Sequence, residues 1–127
     1  GYCVVETDMD HKHLNPFGGI HGGVYSSIID SACYWAAYGD LDEDAGLISL
    51  DVQVTYLGTA RGGRLVCRAQ LIKTGRTMCL TEAVLTDADG KLLAHGSSKQ
   101  LVTRGLQTID QAITATASSP LPPKFID

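Results

Sequence analysis

The residues of this chain whose types and spacing could do chemistry lie between Asn15 and Asp30. They are Asn15-Pro16-Phe17-Gly18-Gly19-Ile20-His21-Gly22-Gly23, followed seven positions later by Asp30. From Val24 onward, Val24, Ile28, Ala32 and Trp35/Ala36 recur at helical spacing, with Tyr25, Ile29 and Cys33 beside them. A helix is expected from about His21 to about Tyr38, with Gly39 as its C′ residue. Two glycines in a first turn weaken a helix. They also leave the unpaired N–H groups at the positive end of the helix dipole open to an approaching group. Gly22 and Gly23 therefore suit an anion or a developing oxyanion. The simpler explanation of a Gly-Gly pair is a tight turn into the helix. Asp30 argues for more, because it is a poor helix former placed mid-helix among aliphatic residues, on a narrow polar strip with Ser26, Ser27 and Ser31. Alone, a mid-helix Asp is usually a solvated surface residue.

The elements that must position these residues are strands. Tyr2 to Met9 reads as a first strand. Asp10 to Asn15 is a polar connection containing His11 and His13. With His21 these invite a zinc site, but no carboxylate or thiolate stands at a ligand spacing, so no metal is expected. After the helix, Asp40 to Ala45 is an acidic connector. Ile48, Leu50, Val52, Val54 and Tyr56 then alternate with Ser49, Asp51, Gln53 and Thr55, the pattern of a half-buried strand. Gly58 to Gly63 reads as a turn, Arg64 to Thr74 as a second long strand and Thr77 to Thr86 as a third. Asp89-Gly90 signals a hairpin into a strand from Lys91 to Val102. Four long strands joined by short turns predict an antiparallel meander, since parallel neighbours need crossovers. One long helix and five strands in the order β-α-β-β-β-β predict an α+β fold, a sheet wrapped around the helix over residues 1–104. Residues 105–127 are expected to form a tail, helix-compatible from Leu106 to Thr116 and extended, polyproline-like, from Ser118 to Pro123.

At 127 residues the chain is one domain. It has no run of about 18 apolar residues, so no membrane span is expected. A net charge of −4 argues against a general nucleic-acid binder. Five of the ten basic residues (Arg61, Arg64, Arg68, Lys73, Arg76) fall in one stretch, and no acidic residue lies between Asp51 and Glu82. That zone suits either a phosphorylated small molecule or a solvated strand face. Cys3, Cys33, Cys67 and Cys79 form no CxxC pair and lie mostly on apolar stretches, as reduced core thiols of a cytoplasmic protein would. The chain opens on Gly1 rather than Met, which leaves room for a leader upstream.

Asn-Pro-x-Gly-x-x-His-Gly-Gly with its spaced Asp resembles the acyl-CoA thioesterases of the hotdog fold, specifically the PaaI-like (phenylacetate-degradation) branch. The likeness continues through Gly46 to Leu57, Lys73-Thr74-Gly75-Arg76-Thr77 and Asp89-Gly90-Lys91-Leu92-Leu93-Ala94, so it covers about Tyr2 to Val102. It implies an antiparallel five-stranded sheet around one long central helix. It also implies hydrolysis of an aryl- or acyl-CoA thioester without a cofactor, since coenzyme A is part of the substrate, in homodimers with sites between subunits and a dimer of dimers. By the same resemblance Asn15 would meet the thioester region or a water through its amide, and His21 would fix the loop rather than act as a base. Ser49 matches a position that orients water or the carboxylate. Yet Ser49 shares strand parity with Asp51 and Gln53, so it reaches the site only if the strand is bent or bulged there. Arg61, Arg64 and Arg76 are assigned to the coenzyme A phosphates, contacts that vary within the fold.

Gly22 and Asp30 are eight residues apart, about 12 Å along one helix at ~1.5 Å per residue. A thioester carbonyl needs its oxyanion donor at about 2.7–3.1 Å and its nucleophile or base within similar reach. One helix cannot supply both; two antiparallel copies can, with Gly22 of one chain facing Asp30 of another across a twofold axis. Asp30 would attack directly or activate water. Tyr25, Tyr34, Trp35 and Tyr38 suit either an aryl or short acyl pocket or the core. The rival readings are a non-catalytic acyl-CoA binder, a hotdog hydratase or dehydratase, and a metal hydrolase using His11, His13 and His21.

Overall fold

The computed structural model describes residues 1–117, 119–120 and 122–125. Its strands are β1 (Tyr2–Met9), β2 (Ala45–Tyr56), β3 (Gly63–Thr74), β4 (Met78–Asp87) and β5 (Leu92–Arg104), joined in one antiparallel sheet in the order β1-β3-β4-β5-β2. Helix α1 (Gly22–Tyr38) packs on one face, and α2 (Ile109–Thr116) follows the last strand. The order β-α-β-β-β-β around a central helix is the one the sequence predicts.

Small side chains let the helix approach the sheet. Ile28, Ile29, Ala32, Cys33 and Ala36 of α1 share one buried cluster with Ala69, Ala83 and Ala94. At Gly96 the approach is closest, because a Cβ there would lie 2.7 Å from Ile29 Cγ2 and 2.9 Å from the Gln53 carbonyl oxygen. The helix ends at Tyr38 as expected. Gly39, however, keeps φ −60° and donates its N–H to the Trp35 carbonyl at 3.1 Å, so it caps the helix without the left-handed turn of a C′ glycine.

The meander is confined to β3, β4 and β5. Strand β2 does not neighbour β3; it pairs with β5 at the far edge. Because β2 and β3 run in opposite directions, residues 57–62 stay at one end of the sheet and cross three strand spacings. That is about 14 Å at ~4.8 Å each, which six residues span easily. The crossing is anchored rather than paired. Leu57 and Gly58 N–H donate to the Leu93 carbonyl (2.9 and 3.0 Å), Ala60 N–H donates to the Tyr25 hydroxyl (3.1 Å), and Ile20 N–H donates to the Ala60 carbonyl (2.8 Å).

The alternation expected along β2 is broken as well. Ser49 pairs with Gln100 and Asp51 with Lys99, so Leu50 is an extra residue, a β-bulge. Residues paired directly across a ladder share a face. Ala94, Gly96, Ser98 and Gln100 are buried toward α1, so their partners Tyr56, Val54, Val52 and Ser49 face the helix, while Asp51, Gln53 and Thr55 face away. The expected apolar face is therefore split, and Ile48, Leu50 and Tyr56 stay 38%, 54% and 54% exposed.

Side chains make this bulge, by supplying the bonds that an interrupted ladder loses. Asp51 Oδ1 accepts the Lys99 N–H at 3.0 Å, Asp51 Oδ2 accepts from Lys99 Nζ at 2.6 Å, and the Asp51 carbonyl accepts from Ser98 Oγ at 2.7 Å. Fully buried Gln100 completes the cluster, its Nε2 donating to Ser98 Oγ (2.8 Å) and Thr81 Oγ1 (3.1 Å).

Helix α2 begins at Ile109, three residues later than Leu106, capped by the Thr108 side chain, which accepts the Gln111 N–H. Before it, Gln107 adopts φ 58° in a turn that lies directly on Gly46. Ser118 and Leu121, within the stretch expected to be extended, lie outside the described residues. Lys124 Nζ returns to the Leu41 carbonyl at 2.6 Å and stands 3.8 Å from the Tyr38 ring centre. No helix among the described residues is long and apolar enough to cross a membrane.

Candidate active site

The loop before α1 is tied by its own asparagine. Asn15 Oδ1 accepts the N–H groups of Phe17 (2.9 Å) and Gly19 (3.2 Å), and the Asn15 N–H donates to the Gly19 carbonyl (2.7 Å). Gly18 sits at φ +80°, a conformation that favours glycine. Arg61 Nη1 donates to the Phe17 carbonyl at 3.2 Å, which pins the same loop to the crossover. Of the Asn15 amide, only Nδ2 is left without a partner among the described residues.

His21 caps the helix. Its Nδ1 accepts the Gly23 N–H at 2.9 Å, which places the proton of the neutral ring on Nε2. That bond occupies Gly23. Gly22 N–H is left with no acceptor among the described residues, at the positive end of a 17-residue helix. Both glycines also have packing reasons within the chain: a Cβ at Gly22 would meet Tyr56 Cε1 at 3.1 Å, and one at Gly23 would meet His21 Nδ1 at 3.0 Å.

Asp30, two turns further along, is half-buried and accepts from Ser49 Oγ at 3.0 Å through Oδ1. The bulge resolves the parity problem, because the one extra residue puts Ser49 on the helix side of β2. Oδ2 has no partner among the described residues. Burial pushes up the thiol of Cys33, one turn away, and the Asp30 charge adds to that push. Asp30 and Gly22 stay about 12 Å apart on one straight helix, so a single chain does not bring them together.

The three arginines are not gathered either. Arg64 donates through Nε and Nη2 to Asp8 (2.8 and 3.0 Å) and through Nη1 to Glu6 (3.4 Å). It alternates with buried Leu65 and so lies on the sheet face away from α1. This pairing holds the Asp8 carboxyl below its ordinary value. Arg76 stands in the turn after β3, at the opposite end of a strand about 40 Å long at ~3.3 Å per residue. His13 Nδ1 accepts the Asp10 N–H at 2.9 Å, a short-range cap like that of His21.

Tyr34, Trp35 and Tyr38 pack together, Tyr34 edge-on to Trp35 at 5.3 Å and stacked on Tyr38 at 6.1 Å. With Ile48, Leu106 and Ile109 they line a groove of about 420 Å³. All four cysteines are free, and Cys33, Cys67 and Cys79 are fully buried.

Sequence reasoning missed Ser26, Tyr56, Ser98 and Gln100. Tyr56 and Ser26 share a hydroxyl contact at 2.6 Å beside Gly22. Ser98 and Gln100 shape the bulge that aims Ser49. One signal was available: Asp51 is an unfavourable residue inside an apolar strand and marks a place where the ladder is interrupted.

The thioesterase superfamily model matches residues 17–94. Human acyl-coenzyme A thioesterase 13 is 32% identical over 98 residues, covering 76% of this chain and 69% of that protein. A phenylacetic acid degradation-related protein of Ralstonia eutropha has a solved structure with TM-score 0.75 and 26% identity, over 79% of this chain and 75% of that one. A Bacillus halodurans protein solved with CoA shares the fold at TM-score 0.76 and 19% identity, over 79% of this chain and 66% of that one. With this helix, sheet and loop in place, the chain belongs to the thioesterase superfamily, in its PaaI-related branch, and is a thioester hydrolase of the hotdog fold.

Proposed function

We propose that the protein hydrolyses the thioester of a small aryl- or acyl-coenzyme A at two equivalent sites, each built from Gly22 of one chain and Asp30 of another. The observation that carries the reading is the Ser49–Asp30 bond at 3.0 Å, which steadies one carboxylate oxygen and leaves the other for the reaction. Gly22 N–H, free at the helix start, would polarise the thioester carbonyl and hold the tetrahedral oxyanion, a donor typically worth about 10²–10³ in rate. Asp30 Oδ2 would attack the carbonyl carbon and form a mixed anhydride that water then opens, or would take the proton of an attacking water. In either route the coenzyme A thiolate leaves and the acid is released. Asn15 Nδ2 is the remaining loop donor for the thioester region, and no cofactor is required. Arg61 and Arg76 remain the basic residues for coenzyme A phosphates; Arg64 is committed to Asp8 and Glu6.

Support for two chains comes from β2. It is an edge strand carrying exposed Ile48, Leu50 and Val52, a surface that a second copy would cover. Association into a dimer of dimers would leave this arrangement unchanged. Tyr34, one helical turn beyond Asp30, opens the aromatic groove to the acyl group, which favours aryl and short acyl chains.

The test is free-thiol release from phenylacetyl-, benzoyl- and hexanoyl-CoA. Asp30→Asn is expected to lower kcat by about 10³-fold; undiminished hydrolysis removes the catalytic assignment. Mixing Asp30→Asn chains with Gly22→Val chains restores one intact site in each mixed dimer, so activity should return to roughly a quarter of wild type. A mixture as inactive as its components would place both groups in the same chain's site instead.

A further inference from the structure

We infer that Tyr56 is a positioning residue for the Gly22 oxyanion donor, acting through Ser26. The inference rests on the proposed site and names a part of it that the motif does not contain. Gly22 and Gly23 lack the side chains that would restrain the backbone, at a place where an N–H must be held still before the reaction. Something outside the helix has to stiffen them.

Tyr56, the last residue of β2, lies against that turn. A Cβ on Gly22 would stand 3.1 Å from Tyr56 Cε1, 3.3 Å from Cζ and 3.5 Å from Oη, so the ring covers the open side of the Gly22 Cα. Its hydroxyl is 2.6 Å from Ser26 Oγ. Ser26 Oγ in turn donates to the Gly22 carbonyl at 3.3 Å. A serine hydroxyl has one proton, so with that proton on the Gly22 carbonyl the tyrosine must donate to the serine. The result is a relay of two hydrogen bonds, Tyr56 to Ser26 to the Gly22 carbonyl, that fixes the Gly22–Gly23 peptide while the ring fixes the Cα. Behind the ring stands Tyr25, stacked at 6.3 Å between centroids and itself pinned by the Ala60 N–H. The bulge shifts the parity between Ser49 and Tyr56 so that both face α1, and one strand aims both halves of the site.

The test uses Tyr56→Phe and Ser26→Ala, each of which deletes a single hydroxyl, alongside Tyr56→Leu, which also deletes the ring. Asp30→Asn serves as the reference. Two quantities are read on the full chain: steady-state hydrolysis of phenylacetyl-CoA and hexanoyl-CoA, and the ¹⁵N–¹H resonance of the Gly22 amide without substrate. Misplacing a reacting group by ~1 Å can cost about 10²-fold. The hydroxyl deletions should lower kcat about tenfold with KM within twofold and shift the Gly22 resonance, leaving the amides of β3 and β4 in place. Tyr56→Leu should lower kcat further; if it does not fold, the two hydroxyl variants decide alone. The inference is overturned if kcat stays within twofold of wild type in both, or if kcat falls while the Gly22 resonance does not move. If this happens while Asp30→Asn is inactive, the proposed site stands without Tyr56. Full activity of Asp30→Asn would remove the site and this inference together.

Discussion

Asp30 carries one hydrogen bond from Ser49 and no other partner among the described residues, so its orientation depends on a single hydroxyl. Ser49→Ala is expected to lower kcat about tenfold with little change in KM, because the bond orients the reacting group rather than the bound substrate. Ser49→Thr keeps a hydroxyl and should recover most of the loss; equal losses in both variants would assign Ser49 to packing. Gly22 and Asp30 stand out in the sequence as odd local choices, a glycine in a first turn and an acid in mid-helix, whereas Asn15 and His21 are singled out there only by the family resemblance. Ser49 was legible only through its resemblance to a family position, and its strand parity argued against it. Tyr56 and Ser26 were not legible, since a strand aromatic and a helix serine look like ordinary packing until the register is known.

Element boundaries follow local chemistry closely. β1 begins and ends at Tyr2 and Met9 as its pattern predicts, and α1 starts one residue after its expected first position, because His21 serves as the cap. Strand order does not follow local chemistry. The segment 57–62 is as short as a hairpin loop, and it is bonds to distant residues, among them Tyr25, Ile20, Leu93 and Phe17, that hold it across the end of the sheet. The bulge escaped alternation for a similar reason, since one extra residue restores an apparently regular pattern while exchanging its faces. What holds helix to sheet is also a matter of fit. Gly96→Ala would drive a methyl into Ile29 and the Gln53 carbonyl, at 2.7 and 2.9 Å. Backbone on one side cannot yield, so destabilisation of about 1–3 kcal/mol is expected, read as a lower urea midpoint. An unchanged midpoint would mean that α1 can lift from β5 without cost.

The molecule as a whole should be least stable at both ends of the pH scale. Asp8 and Asp51 are held below the ordinary carboxylate value of 3.8 by hydrogen bonds from Arg64 and Lys99. A depressed folded value gives stability above 3.8 that is lost as pH falls through it. These pairs are exposed, so the acid-side loss should be shallow. Burial pushes the Cys67 thiol from 9.0 to about 12. The folded state then holds a proton that the unfolded chain releases, and stability falls as pH rises from about 9 to about 12. Urea midpoints from pH 3 to 11 should be flat near neutrality and drop at each end; a midpoint that rises above pH 9 would contradict the burial of Cys67. The sheet order has one further consequence, for synthesis. β2 leaves the ribosome early, but among the described residues its only strand neighbour is β5, whose last residue, Arg104, follows Tyr56 by 48 positions. At ~5–20 residues per second, β2 waits several seconds for its pair. During that interval the backbone N–H and C=O groups of β2 have no ladder partner in their own chain, so the strand is open to pairing with another.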